Sequence, residues 1–235
     1  MSQPEISVVR PLGPALNGWS RGQAVAQLCA LLGAGLAHAA WPVALGALGS
    51  FGVLLYLARR AYTPRGRFGW ANRVTLLRLV VLLTLTAPTS WLSARAALGL
   101  VSLVLALDLL DGFLARALGD ASSFGAHFDM ESDAQLVLVV TLHLWLAGSM
   151  GFWVLFAGSL RYLYVLALWL WPSRAAAREA PRSRFARYSF AILMAGLCGA
   201  LILPPPLSSV SACCGTLVVS WSFARSSYFS WRELS

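Results

Sequence analysis

Read along its apolar and polar positions, the chain is a succession of hydrophobic runs separated by short polar joints. The runs are about 17–25 residues long, the length that carries a helix across a hydrocarbon core of about 30 Å. They lie near residues 22–39, 41–58, 73–90, 93–112, 134–149, 151–171, 187–203 and 207–224. This pattern predicts an all-α fold, a polytopic membrane helical bundle of about eight spans. The segment 59–72 mixes arginine with Phe68 and Trp70, as expected of chain lying in the headgroup plane. It divides an N-terminal tail and two-span hairpin, residues 1–58, from a six-span working domain, residues 73–235. Within the first run, Arg21, the apolar stretch Ala24 to Leu36 and the small residues Ala37-His38-Ala39 resemble a signal peptide and its cleavage site. A long polar lead and an immediate second run argue that the segment is retained.

Composition agrees with the pattern. The chain is 58% hydrophobic and 11% charged, with a mean hydropathy of +0.70, where a soluble domain carries about 25% charged residues. The net charge is +9 and every basic residue is arginine; the missing lysine reads mainly as genomic base composition. Five arginines fall in 59–73 (Arg59, Arg60, Arg65, Arg67, Arg73) and five in 172–187 (Arg174, Arg178, Arg182, Arg184, Arg187). The joints near 149–151 and 204–210 carry none, and the one near 91–95 carries Arg95. Alternate joints are thus basic, which puts both termini and the 108–133 segment on the cytoplasmic side. Arginine at membrane joints answers to anionic lipid heads, and no nucleic-acid-binding module is visible. Cys29, Cys198, Cys213 and Cys214 form neither a Cys-x-x-Cys pair nor a zinc spacing.

The chemistry is concentrated elsewhere. Six of the nine acidic residues lie between Asp108 and Asp133, and carboxylates next to hydrocarbon mark a functional site by default. Asp108, Asp111 and Ala115 share one helical stripe with Arg116 beside it, while Gly125, Asp129 and Asp133 recur every four residues on the next helix. If the two helices are antiparallel neighbours, two pairs of carboxylates converge. Such a group repels itself unless cations sit within it, and hard oxygen donors suit Mg²⁺, Mn²⁺ or Ca²⁺ rather than zinc. Two such ions about 4 Å apart stabilise the attacking and leaving oxygens of phosphoryl transfer. Gly112, Ala115 and Gly125 leave room for a ligand on the same face, and Arg116 offers a forked cation to a phosphate. Asp120 and Glu131 are explained as well by helix capping and ion pairing. Asp108 is not, since it follows the unbroken apolar stretch Ala96 to Leu107.

These positions match the signature of the CDP-alcohol phosphotransferase family: D-x-x-D-G-x-x-A-R, eight residues, then G-x-x-x-D-x-x-x-D. Asp108, Asp111, Gly112, Ala115, Arg116, Gly125, Asp129 and Asp133 are all in place. Asn72-Arg73-Val74-Thr75-Leu76-Leu77-Arg78 is similar to the N-x-x-T-x-x-R start of the family's first core helix. The resemblance covers about residues 71–235, whose spans equal the family's six-helix core, so that 73–235 would be the catalytic domain. It implies a phospholipid synthase of a bacterial inner membrane that displaces CMP from a CDP-linked donor such as CDP-diacylglycerol, joining the phosphate to a small acceptor alcohol. By the same resemblance, Asp108, Asp111, Asp129 and Asp133 would hold two divalent ions, Mg²⁺ or Mn²⁺. Asp133 would also take the acceptor's proton. Gly112, Arg116 and Ser122 would contact the CDP part, helped by Asn72 and Thr75, and a homodimer is expected by analogy.

An anionic acceptor needs a further basic pocket, for which Arg161, inside the apolar stretch Gly158 to Tyr164, is the candidate. His127 faces away from the Asp129 stripe by helical spacing; His38 and His143 read as packing residues. Trp41, Trp70, Trp91 and Trp171 read as interface belts, and Pro204-Pro205-Pro206 as the end of a span. Two other readings exist: a divalent-cation transporter, against which the acids cluster at one face, and a catalytically silent scaffold, against which the motif is complete.

Overall fold

The computed structural model describes residues 12–59, 62–63, 66–170 and 184–232. Arg60, Arg65, Trp171 and most of the basic 172–187 segment lie outside the described residues, as do the chain termini. Among the described residues there are eight α-helices: α1 (Leu12–Ala37), α2 (Trp41–Ala58), α3 (Trp70–Leu83), α4 (Ala94–Ala117), α5 (Ser123–Leu146), α6 (Leu155–Leu170), α7 (Arg184–Ile202) and α8 (Leu207–Arg232). Among the described residues, five segments are long and apolar enough to cross a membrane: Trp41–Ala58, Ala94–Ala117, Phe152–Leu170, Phe185–Ile202 and Leu207–Arg225. The protein is an all-α, multi-pass membrane bundle.

The remaining helices depart from the apolar runs for identifiable reasons. Helix α1 begins well before the expected residue 22, because Leu16, Trp19, Ser20, Gln23 and Gln27 form one buried stripe at helical spacing. The signal-like run Ala37 to Ala39 is the turn into α2, with His38 at a φ of 46°. Helix α3 has 14 residues, short of the expected 73–90, and gives way to 3-10 turns at Thr84–Thr86 and Thr89–Trp91 around Pro88. Helix α5 starts eleven residues before the expected 134, at Ser123, because the Ser122 hydroxyl accepts from Gly125 N and caps it. It is the central column: apart from Trp145 and Leu146, every residue from Ala134 onward is buried.

Around this column α3 packs on both α4 and α5, whereas α4 and α5 touch each other little. Helices α7 and α8 form a tight hairpin against α4, α5 and α6, and α1 with α2 forms another against α5 and α6. Contacts fix which ends meet: Trp19 Nε1 donates to Ser50 O, Arg21 lies over Trp169, and Arg225 lies over Phe185. The starts of α1 and α7 therefore meet the ends of α2, α6 and α8. Arg59 at the end of α2, Arg73 in the first turn of α3 and Arg187 in the first turn of α7 lie at that end too.

Candidate active site

Local rules bring the acidic segments to this end. Ser93 caps α4 by accepting from Ala96 N, and the helix runs on through Asp108 and Asp111 to Ala117. It is closed by Gly119, whose φ of 66° lets Asp120 N donate to Ala115 O, a Schellman stop that favours glycine. Two residues later Ser122 starts α5, so that Asp129 and Asp133 fall in its first three turns. On the other side Gly69, with a φ of 73°, turns the chain into α3.

The carboxylates converge, though not through direct packing of α4 on α5. Oxygen atoms of Asp108, Asp111 and Asp129 lie within 4.8 Å of one another. Between the two helices stands Arg78 of α3, with a side chain 2% exposed. Its Nη1 meets Asp108 and lies 3.5 Å from Asp111; its Nη2 lies 2.9 Å from Asp129 and 3.2 Å from Asp133. Thr75 Oγ1 donates to Asp111 Oδ2 at 2.8 Å, one helical turn before Arg78. One cation facing four acids leaves a surplus of negative charge, which a donor set made wholly of hard oxygens presents to divalent ions. Asp108, Asp111 and Asp129 fit a divalent cation.

Other expected residues take less uniform places. Gly112 and Ala115 are half-buried on α4, and the exposed Arg116 folds back so that its Nη1 lies 3.5 Å from where a Gly112 Cβ would stand. Gly125 permits close approach of α3, since an added Cβ would lie 3.1 Å from Asn72 Oδ1 and 3.2 Å from Ser122 Oγ. Asn72 and Ser122 both serve the backbone: Asn72 Nδ2 donates to Phe68 O and Tyr62 O, and Ser122 Oγ donates to Tyr62 O. Tyr62, packed on Phe68 and Phe124, thereby ties the basic segment to the site. Beside it, Arg67, Phe68, Gly69, Trp70, Arg73, Leu118 and Asp120 line a cavity of about 280 Å³. Leu109, Leu110 and Phe113, flanking the aspartates on α4, are exposed.

Arg161 is not with the aspartates. Its Nη2 donates to Glu131 Oε1 at 2.7 Å, on the side of α5 turned toward α1 and α6. His127 likewise faces α1, meeting Ser20 Oγ at 2.8 Å. Two features escaped sequence reasoning. Arg78 was visible as part of the N-x-x-T-x-x-R pattern and as a charge inside the apolar run from Val74 to Leu83, a signal of the same kind as Asp108. Ser20 gave no such signal, since its partner Glu131 is 111 positions away.

The sequence profile of CDP-alcohol phosphatidyltransferases matches residues 68–224, more than half of the chain. The chain belongs to the CDP-alcohol phosphatidyltransferase family. Membership makes it a transferase that moves a phosphoalcohol from a CDP-alcohol to an acceptor alcohol. The matched region begins just before α3 and takes in α4 to α7 and most of α8, with the whole aspartate site. No curated protein and no solved structure matches the chain.

Proposed function

We propose that this family member is a phospholipid synthase that takes a phosphatidyl group from CDP-diacylglycerol, passes it to a small acceptor alcohol and releases CMP. The observation that carries the reading is the convergence of Asp108, Asp111 and Asp129 within 4.8 Å, with Asp133 reached through Arg78. Asp108, Asp111, Asp129 and Asp133 would hold two Mg²⁺ or Mn²⁺ ions. Bound there, the ions would neutralise the diphosphate and the departing CMP.

The chain's own residues supply the rest. Asp133 accepts the proton of the acceptor hydroxyl. The hydroxyl oxygen forms a bond to the lipid-side phosphorus, and the bridging P–O bond breaks with its electron pair leaving on CMP. Arg116 folds back over Gly112, the residue after Asp111, and its guanidinium can pair with a phosphate oxygen of the donor. Asn72, Thr75 and Ser122 hold the site's walls: Thr75 orients Asp111, while Asn72 and Ser122 anchor the backbone of Tyr62, and Asn72, Thr75 and Ser122 would help receive the CDP part of the donor. Arg161 is engaged by Glu131, so an acceptor phosphate would have to compete for it. We place the site on the cytoplasmic side of a bacterial inner membrane, because Arg59, Arg73 and Arg187 share its end of the bundle. The catalytic domain in this reading is 73–235, with 59–72 lying along the membrane surface.

The test is CMP release by purified protein given CDP-diacylglycerol, Mg²⁺ or Mn²⁺ and a panel of acceptor alcohols. Release with one acceptor, lost in Asp133→Asn, is the expected result. Folded protein releasing no CMP with any acceptor would overturn the reading.

A further inference from the structure

Helix α5 carries two polar stripes, not one. Asp129 and Asp133 face Arg78 of α3. His127, Glu131 and Gln135 are each displaced by two positions, which turns them by about 200° around the helix. Glu131 and Gln135 in that second stripe are buried, at 1% and 0% exposure, and side chains reach the stripe from the far side. Ser20 of α1 donates to Glu131 Oε1 at 3.1 Å and meets His127 Nε2 at 2.8 Å. On α6, Arg161 donates to the same Glu131 oxygen, and Tyr162 OH donates to Gln135 Oε1 at 3.0 Å.

Stability alone does not account for this arrangement. A buried ion pair gains little over well-packed apolar residues, because desolvation offsets the attraction, and its best-attested use is to fix register. An apolar seam of leucines would let α5 turn or slide. On a helix about 10–12 Å across, a rotation of about 20° moves a side-chain end by about 2 Å. Metal–oxygen distances tolerate about 0.2 Å. We infer that Ser20, Glu131 and Arg161 are positioning residues, which lock the rotation of α5 from behind and so hold Asp129 and Asp133 on the metal site. The hairpin of α1 and α2 is then a working part of the enzyme, although Ser20 lies outside the family region 68–224. This rests on the reading of Asp129 and Asp133 as metal ligands.

The experiment compares the full chain with Glu131→Gln, Arg161→Met, the double variant and Ser20→Ala. The readouts are Mn²⁺ binding by electron paramagnetic resonance, thermal unfolding and CMP release. Positioning predicts about tenfold weaker Mn²⁺ affinity in each folded Glu131 or Arg161 single variant. The double variant should be no worse than the weaker single, since both act through one contact. Ser20→Ala should shift affinity the same way by a smaller factor. A purely structural role lowers the melting temperature and leaves the affinity of the folded protein unchanged; that result overturns the proposal. Should Glu131→Gln fail to fold, Ser20→Ala decides, because it leaves the ion pair in place. Absence of both Mn²⁺ binding and CMP release in the folded, unaltered chain overturns the parent reading and this one with it. Activity in the unaltered chain with unchanged Mn²⁺ affinity in the variants overturns this one alone.

Discussion

At Arg78 a single guanidinium meets Asp108, Asp111, Asp129 and Asp133, and removing it leaves those acids facing one another. Arg78→Met should therefore cost about 3 kcal/mol, toward the lower end for a broken buried pair because three of the four aspartates retain access to water. Thermal unfolding measures the loss, and Mn²⁺ should restore part of it by supplying the missing charge. Thr75→Val keeps the shape but deprives Asp111 of a hydrogen bond; the expected loss is about 1.5–3 kcal/mol, the range for a bond to a charged group, read the same way. The acids themselves were legible in the sequence because a carboxylate in an apolar run has few structural explanations. Arg78 obeyed the same rule yet drew no role, since a helix drawn alone does not say which charges face it.

Among the helices, boundaries followed capping and turn chemistry more than hydrophobicity. Helix α5 begins at the Ser122 cap, ahead of its apolar run, and α4 continues past its run to Gly119. Both signals are local and were readable. The placing of α3 between α4 and α5 was not, because pairing of distant helices depends on complementary surfaces rather than on spacing. Gly119 and Gly69, both at positive φ, separate backbone strain from steric strain. Alanine at Gly119 meets no atom within 4 Å, so Gly119→Ala should cost about 1–2 kcal/mol from its φ alone. Gly69→Ala adds a Cβ 2.9 Å from Thr63 Cγ2 and 3.2 Å from Asp120 Oδ2. It should lower the melting temperature further and disturb the entry to α3. Equal losses in the two variants would contradict this.

For the whole molecule, the helix ends meet so that one end of the bundle holds the carboxylates and the other holds none of them. Mn²⁺ at about a hundred times its dissociation constant should stabilise the folded chain by about 2.7 kcal/mol. Asp129→Asn should remove most of that increment, and calorimetric unfolding with and without the ion checks it. That the chain was a membrane bundle could be read from composition and run length, while the docking of the hairpin on α5 could not, because it joins apolar and polar side chains far apart in sequence, such as Phe51 on Phe128 and Ser20 on Glu131. The exposed Leu109, Leu110 and Phe113 beside Asp108 and Asp111 carry a kinetic consequence. On the proposed reading, a lipid-linked donor approaches sideways with its acyl chains still dissolved among those of its neighbours, so no work of about 0.8 kcal/mol per methylene is spent extracting it. Its effective concentration is then two-dimensional. Diluting the donor with inert detergent at constant bulk amount should slow CMP release in proportion to its surface mole fraction, as though the enzyme counted molecules per area and ignored the volume of the tube.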